Sequence, residues 1–211
     1  MVDGNANRNP LVADYSEWRA RDYFQTYYSE VVLPDEQAVL AYQLDVLRAA
    51  KHRFGRGLEY GCGPTLHRAI AASRYVFRMD MADWLADNLT EAREWLCADD
   101  SAPEWKRFTR YVLACEGSQH PSNDKICKRE ALTRKVVRGL YVSDARLKQP
   151  LGPARTGFYD LIITGFCIDA QVIPCRDNAA YGYSGILTAS GRKAPARKKV
   201  PEHAIRQNSR D

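Results

Sequence analysis

The sequence predicts an α/β fold, a parallel, doubly wound sheet with helices on both faces, and three observations carry that expectation. Leu58-Glu59-Tyr60-Gly61-Cys62-Gly63-Pro64-Thr65 reads as a strand end, a glycine turn and a helix start. Absent side chains there let a ligand approach backbone. Apolar segments of strand length alternate along the chain with stretches of helical period. The acids and glycines that stand out, Gly61, Gly63, Asp83, Asp144, Gly165 and Asp169, all fall at the C-terminal ends of the expected strands. Open α/β sheets bind their ligands on that edge.

The first dozen residues are polar and set apart as a loose segment, with residues 1–19 preceding the domain. Tyr15, Trp18, Tyr23, Phe24, Tyr27 and Tyr28 then crowd aromatic rings ahead of the first core element. They either staple an N-terminal helix to the core or form a lid whose hydroxyls reach a ligand. Pro34-Asp35-Glu36 opens a helix, with proline in the first turn and two acids at the positive end of the dipole. Leu40, Leu44 and Leu47 give it one buried face, and Gly55 and Gly57 are expected to stop it near Phe54. Residues 57–60 form the first strand. Thr65 is expected to cap the next helix, with His67 one turn in, facing solvent or the ligand space.

Residues 75–84 form the second strand. Asp83, at its C-terminal end, lies about 20 residues beyond the glycines, the interval of a ribose-binding acid. The alternative is an acid that caps the following helix. That helix is expected from Asn88, with Leu85, Leu89, Ala92 and Leu96 along one face. Residues 110–115 read as a short strand before a long loop, 128–138 as a helix with Leu132 and Val136 inward, and 139–144 as a strand ending in an acid. The run 158–167 is expected to be a strand buried on both faces.

Composition narrows the function classes. With 45% hydrophobic and 27% charged residues, the chain has the make-up of one soluble domain. It shows no apolar run of membrane-spanning length and no secretory signal, so a cytoplasmic location is expected. Six cysteines without paired spacing, and without His partners at zinc-ligand intervals, indicate reduced thiols and no metal site. Residues 171–211 hold eight Lys or Arg against three acids, which accounts for the whole net charge of +5. The preceding 170 residues are therefore neutral, and nucleic acid is disfavoured as a partner of the domain.

A wider set of motifs follows the same order along the chain: Asp22-Tyr23 with Tyr27-Tyr28, Gly61-Cys62-Gly63-Pro64-Thr65, Asp83-Trp84 with Asn88-Leu89, Glu94-Trp95-Leu96, Cys115-Glu116-Gly117, Asp144 with Gln149-Pro150-Leu151-Gly152, and Phe166-Cys167-Ile168-Asp169-Ala170. Over roughly residues 20–170 the chain resembles class I S-adenosylmethionine-dependent methyltransferases, specifically the nicotinamide, phenylethanolamine and thioether or indolethylamine N-methyltransferases and their bacterial relatives. The resemblance implies a Rossmann-like sheet, S-adenosylmethionine as cofactor, and a small amine or amide-type acceptor. It implies that Tyr23 and Tyr28 close over the methionine end, that Gly61 and Cys62 offer backbone to it, and that Gly63 and Thr65 lie nearby. Asp83 takes the ribose hydroxyls, Trp84 stacks on adenine with Asn88 beside it, and Asp144 and Ala145 hold the adenine edge. His67 stands where relatives often carry Tyr at the methionine carboxylate, and Gly165 preserves a close approach. Asp169 takes the place of the acid that meets the acceptor nitrogen, or else caps the segment after its strand. The implied chemistry is direct displacement, helped by positioning and exclusion of water.

After Ala170 the family pattern of a helix, a Gly-Gly turn and the last strands is not legible. Residues 171–211 are rich in Gly, Ala, Arg and Lys and read as a basic, disordered tail. The expectation is a domain without its C-terminal strands, through a shifted frame, an alternative end or a degraded copy, and with impaired turnover. The competing reading is a binding module whose tail contacts nucleic acid or an acidic partner. A nucleotide-dependent oxidoreductase is disfavoured by the missing third glycine. The sequence carries no signal for oligomeric state.

Overall fold

The structure, a computed structural model, describes residue 15 and residues 17–165. Asp169, the segment 166–170 and the basic tail lie outside the described residues. Four strands, β1 (Phe54–Tyr60), β2 (Val76–Asp83), β3 (Val137–Val142) and β4 (Leu161–Thr164), form one sheet in the order β3-β2-β1-β4. Every pairing is parallel, with Glu59 beside Met81 and Ile163. The chain is an α/β protein with a Rossmann-like sheet, and all four strands end on one edge.

Six helices, α1 (Ala20–Tyr27), α2 (Pro34–Ala49), α3 (His67–Ala72), α4 (Ala86–Leu96), α5 (Lys106–Cys115) and α6 (Asn123–Val136), contribute to the main core. Leu40, Leu44, Ile70, Leu89, Trp105, Phe108 and Val112 pack there against Met79 and Met81 of β2. The opposite face carries a smaller cluster, where Tyr159 covers Leu58 and Ala82. Its hydroxyl donates to Asp80 Oδ2 at 3.0 Å. Among the described residues the segment 143–160 covers that face.

Several local expectations are corrected. Residues 110–115 are not a strand: they belong to α5, where Phe108, Thr109, Val112 and Leu113 form a buried stripe at helical spacing. Helix α2 stops at Ala49, well before Phe54, because Lys51 adopts a left-handed backbone with φ of 57° and turns the chain. Gly55 and Gly57 lie inside β1, where they admit close neighbours instead of ending a helix. A Cβ at Gly57 would stand 3.1 Å from Val76 Cγ1. Helix α6 begins at Asn123 and β3 at Val137, both earlier than expected, with Ser122 accepting the Lys125 amide as an N-cap. Strand β4 is shorter than expected and not buried on both faces, since Ile162 is 61% exposed.

Candidate functional site

The glycine turn leaves β1 and enters α3 with Gly61 at φ of 68° and Gly63 at φ of 57°, left-handed geometry that favours glycine. A side chain at Gly63 would meet Thr65 Cγ2 alone, at 4.0 Å, so the turn has an open face. Its amides are nonetheless occupied. Gly61 and Cys62 both donate to the Ala82 carbonyl, at 2.8 and 3.1 Å. The Gly63 amide donates to Asp83 Oδ2 at 2.8 Å. The amides of Gly61 and Cys62, residues expected to offer backbone to the methionine end, thus close the turn onto β2. Thr65 does not cap α3 either. Its hydroxyl donates to the Cys62 carbonyl at 2.7 Å, and α3 starts after Leu66.

Asp83, at the end of β2, organises the edge. Oδ1 accepts the Leu85 amide and the Asn88 side-chain amide, both at 2.9 Å. The Leu85 bond gives Asp83 the turn-capping role that sequence left as an alternative. All three donors are neutral amides, none of which supplies a countercharge, and Oδ2 retains a lone pair. Asn88 in turn accepts a hydrogen bond from Trp18 Nε1 at 2.8 Å, which ties the N-terminal segment to the turn. Trp18 is a residue that sequence reasoning placed in the aromatic cluster without a role here.

The remaining candidates divide between the edge and the core beneath it. Trp84 is 41% exposed at the end of β2. The Arg146 guanidinium lies 4.8 Å from its ring centroid and also binds Asp144, with Nη2 at 2.6 Å from Oδ2. Asp144 is held low, to about 2, by its hydrogen bonds from Arg146. Ala145 is exposed in the adjoining turn. Tyr23 packs on Trp18, Tyr27 and Tyr28, with centroids 4.7, 5.0 and 5.6 Å away.

Tyr28 and His67 point inward. The Tyr28 hydroxyl donates to Glu36 Oε1 at 2.9 Å. His67, expected to face solvent or ligand, is fully buried with Nε2 3.0 Å from Glu36 Oε2 and its ring stacked on Tyr28. Burial lowers its pKa, against the opposing pull of the Glu36 carboxylate. Arg68 Nη2 completes the cluster at 3.1 and 3.2 Å from the two Glu36 oxygens. Burial opposes ionisation of Glu36, but His67 and Arg68 outweigh it and hold the carboxyl at about 2. Gly165 is small for Arg68: a Cβ there would stand 2.7 Å from Arg68 Nε. Glu59, two residues before Gly61, is buried with no side-chain donor on either carboxyl oxygen. Burial, aided by the charges of Glu36 and Asp83 and opposed by Arg68, pushes it up to about 8. No metal-ligand cluster occurs among the described residues.

Comparison with known proteins decides the family. The sequence pattern of the NNMT/PNMT/TEMT family matches residues 11–188. The chain belongs to this family. Indolethylamine N-methyltransferase of Oryctolagus cuniculus is 28% identical over 152 residues, which cover 68% of this chain and 55% of that protein. Phenylethanolamine N-methyltransferase of Bos taurus is 26% identical over 115 residues, 54% of this chain and 39% of that protein. The chain thus spans about half the length, or less, of these curated relatives. The NNMT/PNMT/TEMT match extends past Ala170, where the motifs quoted from the sequence stop. No helix among the described residues is long and apolar enough to cross a membrane.

Proposed function

We propose that this chain carries the cofactor half of an S-adenosylmethionine-dependent N-methyltransferase acting on a small amine or amide-type acceptor. The observation that supports it most is the arrangement of Asp83 and the glycine turn. A dinucleotide site presents turn amides to a pyrophosphate, whereas here the amides of Gly61, Cys62 and Gly63 are spent on the Ala82 carbonyl and the Asp83 carboxylate. An anion would meet an uncompensated negative charge at this point. A nucleoside cation fits the same surroundings, so the residues present suit S-adenosylmethionine.

Asp83 would hold the ribose. Its free lone pair on Oδ2 accepts one hydroxyl without rearrangement, and the second requires Asn88 or Gly63 to release its bond. Trp84 would stack on adenine once Arg146 leaves its ring, with Asn88, Asp144 and Ala145 around the base. Tyr23 would close the methionine end. Tyr28, His67, Thr65 and Cys62 support the site from below in this reading, through Glu36 and the closed turn, and Gly165 admits Arg68. When bound, the cofactor supplies a methyl group on a sulfonium, a good leaving group for attack by a neutral amine. The chain's own part is to align the two and keep water out. Asp169 is retained as the residue that orients the acceptor nitrogen.

The test is methyl transfer. The chain, incubated with methyl-labelled S-adenosylmethionine and a panel of small primary and heteroaromatic amines, should label at least one of them. Asp83→Asn should reduce that labelling by about a hundredfold, as expected when a hydrogen-bonded charge at a ligand is lost. Labelling that is indifferent to Asp83 would contradict the assignment.

A further inference from the structure

At the end of the sheet opposite the glycine turn, where β1 and β2 begin, a cleft of about 510 Å³ opens beside the C-terminal ends of α2 and α3 and the turn after α5. Arg48, Lys51, Arg53 and Arg74 line it with Tyr75, and Glu116 is the one acid among the lining side chains. Arg48, Lys51 and Arg53 lie within six residues at the end of α2 and in the turn after it, and Arg74 joins them from the end of α3, so they are not a solvated face of one helix. Two are held in place. Arg48 Nη2 donates to the Cys115 carbonyl at 3.1 Å, and the Arg53 guanidinium donates to the Val76 carbonyl while lying 4.1 Å over the Phe77 ring. The Lys51 ammonium has no hydrogen-bond or ion-pair partner among the described residues.

The simplest alternative is that these side chains only neutralise helix ends. Each helix C-terminus carries about half a negative charge, so the ends of α2, α3 and α5 offset about one and a half cations. Glu116 is shared between Arg129 and Arg74, the latter 3.7 Å away, and Asp45 pairs with Arg48 at 2.8 Å. Counting Arg129, this leaves about one and a half positive charges unbalanced in one concavity. Like charges held together repel unless a counter-ion joins them.

We propose that this cleft binds a small dianion of phosphate or carboxylate type, separate from the glycine-turn site. Forked guanidinium donors favour the phosphate, and the Tyr75 ring offers a wall for an organic portion. The proposal does not depend on the methyl-transfer reading, since none of its residues belongs to that site.

Calorimetric titration of the full chain with inorganic phosphate, and separately with succinate, tests it and distinguishes the two chemistries. The comparison is a Lys51→Asn, Arg74→Gln double variant. Both side chains are exposed, and Asn tolerates the left-handed backbone at position 51. Saturable one-site binding of at least one probe is expected, weakened about tenfold or more in the variant and reduced by added salt. Absence of saturable binding with both probes, or equal affinity in the double variant, would overturn the proposal.

Discussion

Glu59 and Glu36 are two buried carboxyls under the same turn with opposite behaviour. Glu59 has no side-chain donor on either oxygen, only a weak pull from the Ala69 amide, and is pushed up to about 8, whereas Glu36 receives Tyr28 and Arg68 and sits at about 2. An unfolded glutamate releases its proton near 4.5. As pH rises from there toward 8 the folded chain keeps a proton on Glu59 that the unfolded chain has lost, so stability falls through that window. Glu36 acts in the other direction: its contribution is present above 4.5 and is lost as pH falls toward 2. Thermal unfolding followed against pH should therefore show a decline across the neutral range. Glu59→Gln should flatten it and raise stability at pH 8 by a few kcal/mol, on the order expected for such a shift. An unchanged slope in the variant would contradict the neutral state of Glu59.

Gly165 supplies a second prediction at this scale. Its missing Cβ makes room for Arg68, which Glu36 pins, so Gly165→Ala should destabilise the chain by about 1–3 kcal/mol in urea unfolding, the usual range for overpacking. Sequence placed Gly165 at a strand end, which holds, and His67 one turn into a helix, whereas His67 is the first residue of α3. It did not indicate which neighbour each would meet. The contacts with Arg68 and Glu36 bring together residues about 30 to 100 positions apart, and no local pattern encodes them.

Helix α5 is the element that local preference misjudges. Tyr111, Val112 and Leu113 favour strands, and a six-residue window shows them in isolation. The helical period appears when Trp105 and Phe108 are included, since Phe108 and Val112 lie one turn apart and face α2 and α3. Phe108 is fully buried against His67, Tyr28 and Trp105. Phe108→Ala should lower unfolding free energy by about 3–5 kcal/mol, the cost of emptying an aromatic site in a core. An exposed residue there would lose less than about 1 kcal/mol. The glycine turn and β2 were legible for the converse reason: backbone freedom at Gly61 and Gly63, and an acid at the strand end, are local requirements that local sequence must meet.

At the level of the whole molecule, the parallel order β3-β2-β1-β4 gathers residues from four separate segments on one edge. The alternation of strands and helices made the sheet readable, but neither the order of strands nor the basic cleft at the opposite edge follows from it. Net charge hid the cleft, because acids elsewhere cancel its cations in any count along the chain. The central claim is that the glycine-turn edge holds a cationic nucleoside, with Asp83 as its anchor, and excludes a pyrophosphate. Calorimetric titration of the chain and of Asp83→Ala with S-adenosylmethionine and with NAD tests it most directly. Saturable binding of S-adenosylmethionine, lost in the variant and not matched by NAD, is the predicted result. A folded chain that binds NAD in its place, or that binds S-adenosylmethionine equally well without the Asp83 carboxylate, would contradict it.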